Sequence, residues 1–251
     1  MTVGTLSFYP TANTILNAAM RLIRAYDSAQ TPGAQQTTDA LEALNFLLTS
    51  WQTLGLQLWC IKTSAAQTPV LSQTVYTVGT GGGIAIARPL QIIKAYLRDT
   101  TDDTDVILNP LAASQYASIT NKTVTGTPNS YYYDAAYGVD TTNFGATSKA
   151  NLFLWPAADA NTVSTKRLYL VYQRPFIDFD LVGDSIDMPQ EWFNALKWNL
   201  AAQIMPEYGL PFMDQDRIRS QAKYELEQCL GWDAEKTSLT ISPDPRMGHN
   251  K

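Results

Sequence analysis

Apolar residues recur at helical spacing early in the chain, where Ile15, Ala19, Leu22, Ile23 and Tyr26 fall on one face. That period predicts a helix, with Thr11 or Asn13 as its cap. Thr31-Pro32-Gly33 breaks it. A second helix is expected from Thr38, which can cap it, with Glu42 close behind. Leu41, Leu44, Leu48 and Trp51 form its apolar stripe, and Leu47 and Leu54 widen it. Gly55 is expected to end it. The short connection favours an antiparallel helical hairpin.

The pattern changes from residue 57 to about 187. Val, Ile, Thr and Tyr rise, and Gly and Pro punctuate short runs. Strands are predicted near 75–78, 84–86, 90–97, 106–108, 131–133, 152–155 and 168–173. The alternation in Leu168-Tyr169-Leu170-Val171-Tyr172 is imperfect, so partial burial on both faces is expected. Residues 112–119 read as one short helix. No internal repeat is visible, which argues against a solenoid or propeller.

Helix is expected again from Pro189, a residue suited to a first turn. Asp184, Asp187 and Glu191 would place negative charge at its positive end. Trp192, Leu196, Leu200 and Ile204 follow at four-residue spacing. Pro206 should end or kink this helix, and Gly209-Leu210-Pro211 completes the break. A fourth helix is predicted from about 213 to 230, with Ile218, Ala222, Leu226 and Cys229 on one face.

This order predicts an α+β fold. Residues 1–56 form one helical hairpin and residues 188–236 another. Residues 57–187 form a β-rich insertion lobe between them, and residues 237–251 an extended C-terminal tail. Each hairpin carries an apolar stripe that needs cover, so the two are expected to pack together as a four-helix bundle with Trp51 and Leu200 in one core.

Composition narrows the chemistry. A hydrophobic fraction of 45% allows a real core. Apolar runs fall short of a membrane span, and the first 30 residues lack a signal-peptide pattern, so neither membrane insertion nor export is expected. The two cysteines, Cys60 and Cys229, are then expected as reduced thiols. A net charge of −5 disfavours gripping a phosphate backbone. The single histidine, His249, follows Ser242-Pro243-Asp244-Pro245 in the tail, where mobility is expected. Histidine-dependent triads and zinc sites therefore have no base or ligand in the folded body.

Four clusters invite sharper readings. Gly79-Thr80-Gly81-Gly82-Gly83 suggests a phosphate loop, but Ile84-Ala85-Ile86 follows where a helix is needed, so a flexible hairpin tip is expected. Asp99, Asp102, Asp103 and Asp105 suggest a calcium loop but lack its Gly and Glu positions, which leaves a solvated turn. Asp178, Asp180, Asp184 and Asp187 could hold a carboxylate pair for glycoside hydrolysis, yet a position before a helix gives them an ordinary role. Tyr131, Tyr132, Tyr133, Tyr137, Trp155, Tyr169 and Tyr172 could stack on sugars or bases. Only Lys149, Lys166, Arg167 and Arg174 lie near them, so packing within the sheet or against a neighbouring subunit is the expectation. No catalytic, cofactor-binding or metal-ligating residue is assigned.

Three stretches carry a family resemblance. The first is Ala18-Ala19-Met20-Arg21-Leu22-Ile23. The second is Asp39-Ala40-Leu41-Glu42-Ala43-Leu44-Asn45, running to Trp51 and Gly55-Leu56. The third is Pro189-Gln190-Glu191-Trp192 followed by Asn199-Leu200-Ala201-Ala202-Gln203-Ile204-Met205-Pro206-Glu207-Tyr208-Gly209. In this order they resemble the head-to-tail adaptor family of short-tailed bacteriophages, also called tail accessory, packaged-DNA stabilisation or head-closure proteins. The insertion resembles that of longer members more loosely, through Arg88-Pro89, Gly126-Thr127-Pro128, Leu154-Trp155-Pro156 and Tyr172-Gln173-Arg174-Pro175. The resemblance implies a structural virion protein at the head-tail junction, assembled in the bacterial cytoplasm, and no enzyme. Its implied partners are the portal protein, neighbouring copies in a ring of twelve, and tail nozzle or hub and tail fibre proteins. Packaged DNA would pass through the channel without specific binding. A muralytic or carbohydrate-active tail protein and a β-rich receptor-binding module are the alternatives.

Overall fold

The structure, a computed structural model, describes residues 9–26, 30–55, 58–135 and 149–233. The chain is mixed α+β, with six α-helices and a curled seven-stranded sheet among the described residues. The expected tail and His249 lie outside them.

Helix α1 spans Ala12–Leu22. Thr11 occupies its cap position, but the Thr11 hydroxyl meets that of Thr14 and bonds no backbone amide of the first turn. Ala12 N–H and Asn13 N–H donate instead to the carbonyls of Asp184 and Val182, at 3.0 and 2.8 Å. The chain returning from the sheet thus caps the first helix. Helix α2 spans Ala34–Trp51 and starts four residues before Thr38, the expected cap. Gly33 caps it, donating its N–H to Gln36 Oε1 at 3.0 Å. Thr38 turns its hydroxyl back to the Ala34 carbonyl, so the group that would have capped is used inside the helix. Gly55 does not end α2 directly: it lies beyond the last helical residue, with a φ of +125° that strongly favours glycine.

Two short helices, α3 (Ala113–Ser118) and α4 (Ala160–Thr165), belong to the sheet region. The first matches the expected helix at 112–119. Helix α5 spans Trp192–Ile204 rather than starting at Pro189. Trp192 and Phe193 N–H donate to the carbonyls of Pro189 and Gln190, three residues back, so residues 189–191 form a tight lead-in turn. Pro206 lies in the 3₁₀ turn that follows α5, and Gly209 takes a left-handed φ of +62°. Helix α6 spans Phe212–Trp232.

One apolar cluster takes residues from helices at both ends of the chain. It gathers Leu16 and Met20 of α1, Leu44, Leu48 and Trp51 of α2, Trp192, Leu196 and Leu200 of α5, and Ile218 and Cys229 of α6. Trp51 and Leu200 are both buried in it. Helix α5 touches each of the other three. Helix α6 is attached by the narrow seam Ile218, Ala222 and Cys229, so most of its surface faces solvent.

The strands are β1 (Ile61–Thr63), β2 (Val75–Val78), β3 (Gln91–Asp99), β4 (Asp105–Pro110), β5 (Thr125–Gly126), β6 (Ser130–Asp134), β7 (Ala150–Trp155), β8 (Ala157–Ala158) and β9 (Lys166–Gln173). Seven make one sheet in the order β1-β9-β3-β4-β6-β7-β2, and β5 pairs with β8. All neighbours in the large sheet are antiparallel except β4 and β6. Alternation places Leu152 and Leu154 of β7, and Leu168, Leu170 and Tyr172 of β9, inside the curl. Leu97, Leu108, Tyr76 and Tyr131 complete this second apolar cluster. Tyr169 and Val171 are half-buried outside it, which accounts for the imperfect alternation in β9.

The expected strand at 84–86 does not form. Ile84 makes a single bridge to Val78, and the chain leaves the sheet. Strands β1, β5 and β8 and helix α4 were not legible in the sequence pattern.

Candidate functional site

Each sequence-flagged cluster has a definite place. Gly79-Gly83 is a closed turn after β2, and no helix follows it. Its amides are consumed locally: Gly79 N–H bonds the Ile84 carbonyl at 3.1 Å, Gly82 N–H the Gly79 carbonyl at 2.9 Å, and Gly83 N–H the Thr77 hydroxyl at 2.9 Å. A Cβ at Gly82 would sit 2.7 Å from the Thr77 carbonyl oxygen, so this tight fold needs glycine there. Those three amides are spent on the turn rather than offered to a phosphate. It is not the tip of a hairpin, because no second strand follows.

The aspartates from 99 to 105 form the turn joining β3 to β4. Asp99 accepts from Lys166 Nζ at 2.9 Å, and Asp105 takes both ends of the Arg98 guanidinium at 2.7 and 2.8 Å. Asp102 accepts from Thr104 N–H and its hydroxyl. These partners hold the Asp99 and Asp105 carboxyls below the usual carboxylate range, chiefly through Lys166 and Arg98. Among the described residues, no three His, Cys, Asp or Glu side chains gather as a metal site would require.

The second aspartate group is spread along the loop from β9 to α5. Asp187 pairs with Arg174, and Asp184 Oδ2 accepts from the N–H groups of Asp180 and Leu181 at 3.1 and 2.8 Å. No acidic residue stands in the first turn of α5, so the expected dipole role of Asp184 and Asp187 is not realised. They shape the loop that caps α1. Arg174 also lies 5.6 Å above the Trp59 ring, which stacks on Phe176 at 5.0 Å and meets Trp192 at 6.5 Å. This knot ties the ends of the sheet to the helical cluster.

The aromatic residues divide by face. Tyr131 and Tyr172 line the interior of the sheet. Tyr133 donates its hydroxyl to the Pro89 carbonyl at 2.6 Å, and Trp155 its indole N–H to Asn121 at 3.1 Å. Tyr132 stacks on Phe153 and under Tyr116 of α3, and Tyr169 stacks on Tyr96. Stacking is thus internal to the sheet face, as expected for packing aromatics. Tyr137 lies outside the described residues.

Both cysteines are free and buried. Burial pushes the Cys60 thiol up to about 12 and raises that of Cys229, whose Sγ donates to the Glu191 carbonyl at 3.4 Å. Neither is a nucleophile at neutral pH. A thiol reagent should therefore find almost no reactive cysteine in the native protein and two in denaturant without reductant. Two thiols reacting promptly in the native state would contradict this burial.

Two concave surfaces were not foreseen. One lies between α1 and α5, with a volume near 320 Å³. It is lined by Pro10, Thr14, Ile15, Ala18, Gln190, Phe193, Asn194 and Lys197, mostly apolar with one cation. The other, near 310 Å³, lies between α2 and the end of α5 and exposes Asp39, Glu42 and Glu207 around Phe46. Phe212 and Met213, at the start of α6, are 76% and 84% exposed. The sequence did carry a signal for these two: they are large apolar residues at the polar end of α6, off its buried seam.

No protein-family model matches the chain, and no curated protein matches it.

Proposed function

We propose that this chain is a structural subunit of a head-to-tail adaptor ring. In this reading it docks on a phage portal, closes the head channel after packaging and carries the tail. The observation that supports it most is the shared apolar cluster. Helices from residues 12–51 and 192–232 pack together while the β-rich region between them is set apart in its own core. In this reading the four helices act as one bundle and the sheet protrudes from it as a lobe.

The charge suits ordered assembly. A net charge of −5 gives identical subunits a mild mutual repulsion, screened over about 10 Å in ordinary salt. Subunits would stay apart until a template gathers them. Light scattering at micromolar concentration should therefore report a monomer of 27.8 kDa. Adding the portal protein encoded by the same genome should convert it to a bound ring with the portal's copy number, visible in negative stain. A stable closed oligomer without portal would overturn the assembly order. Absence of portal binding at any ratio would overturn the function and move weight to a peptidoglycan-cleaving or receptor-binding role, which zymography and cell-surface binding would then separate.

A further inference from the structure

We infer that Phe212 and Met213 of one copy seat in the α1–α5 groove of the next, joining copies head to tail. The inference names the subunit contact within the ring reading and takes its biological setting from it.

Phe212 and Met213 are the most exposed large apolar side chains among the described residues. They stand side by side where Gly209-Leu210-Pro211 turns the chain into α6, and neither belongs to the seam that holds α6 to α5. Adjacent large apolar groups in water are costly unless something covers them. The groove is apolar where it is deepest, at Ile15, Ala18 and Phe193, and it belongs to the opposite end of α5. A plug at one end of a helix and a socket at the other form a heterologous contact, which closes as a ring or runs on as a filament.

Charge supports the same pairing. Lys197 is the charged residue lining the groove. Asp214 and Asp216 follow the plug directly. Asp214 already faces Arg24 at 4.0 Å, so the exposed Asp216 is the counterion offered to Lys197 of the next copy. Two side chains in one groove bury far less than a standard interface, so the contact alone would not hold copies together at micromolar concentration. It would act once a template brings neighbours into register.

The test uses the full chain carrying single cysteines, Asn194→Cys in one sample and Met213→Cys in another. Cys60 and Cys229 are buried and do not compete. Mixed at submillimolar concentration with a short bis-maleimide, the two variants should give a cross-linked dimer that neither gives alone, and the double variant should give a ladder. Adding Phe212→Ser to the Met213→Cys chain should cut the yield at least about tenfold, with an unchanged melting temperature because Phe212 supports no core. Lys197→Glu should lower the yield, and Asp216→Lys in the partner copy should restore it. Equal yields with and without Phe212, or cross-linking within one variant alone, would overturn the inference. Repeating the reaction on portal separates the two claims. Portal binding without the 194–213 cross-link removes this contact and leaves the adaptor reading. The cross-link without portal binding does the reverse.

Discussion

Replacing Trp192 by alanine should lower the free energy of unfolding by about 3–5 kcal/mol, the range expected for truncating a large buried aromatic. The side chain is 1% exposed at the first residue of α5. Its ring lies 5.7 Å from Trp51 of α2 and 6.5 Å from Trp59, which precedes β1. One side chain therefore joins the N-terminal helices, the C-terminal helices and the 3₁₀ turn, Leu58–Cys60, that leads into the sheet. Removing it leaves a cavity among elements that several others hold in place, and such a site relaxes poorly. Trp192→Phe should cost much less. The indole N–H is buried with no acceptor among the described residues, so phenylalanine keeps most of the ring and removes a desolvated donor. The double variant with Trp51→Ala should be destabilised by less than the sum of the two single changes, because each cavity relieves the other. Denaturant unfolding measures all three. A loss below about 1 kcal/mol for Trp192→Ala would mean the helix pairs do not share the core.

The helices and most strands were legible because periodicity reports burial directly. The stripes through Leu44, Leu48 and Trp51 and through Trp192, Leu196 and Leu200 are the ones that meet in the core. The strand expected at 152–155 falls within β7, whose burial alternates residue by residue. What escaped was decided by partners that sequence spacing does not reveal. Thr38 has the chemistry of a cap, but Gly33 and Gln36 cap α2 a turn earlier. Asp187 has the charge for a helix start, but Arg174 takes it. Ile84-Ala85-Ile86 has strand composition, but the tight turn at Gly82 leaves it one bridge and no ladder. Strand β1 is three residues long and exists because β9 offers it an edge. The α1–α5 groove combines residues near 14 and near 194, a pairing no local pattern encodes.

Replacing Leu170 by alanine should cost about 2–5 kcal/mol, and the loss should register in both apolar cores. Leu170 is fully buried in the sheet cluster, opposite Ala95 of β3. On its other side its carbonyl accepts from Ser64 N–H at 2.8 Å, and its own N–H donates to the Ser64 hydroxyl at 3.0 Å. The site is crowded by backbone on both flanks, so the cavity cannot collapse cheaply. Of the six tryptophans, only Trp155 lies in the sheet; Trp51, Trp59, Trp192, Trp198 and Trp232 lie in helical segments. Fluorescence thus follows the helical cluster, and the amide infrared band of β-structure follows the sheet. The two cores are separate, but strong ties cross between them. Gln173 at the end of β9 is buried, accepts from Gln91 Nε2 at 2.9 Å and donates to the Gly55 carbonyl at 3.2 Å. Just beyond it, Arg174 pairs with Asp187, and Phe176 stacks on Trp59. With these ties the chain should unfold in one cooperative step, so Leu170→Ala should shift both signals to the same lower midpoint. If the infrared midpoint fell while the fluorescence midpoint stayed in place, the sheet would be an independently unfolding lobe and the ties at Gln173 and Trp59 would not couple it to the helices.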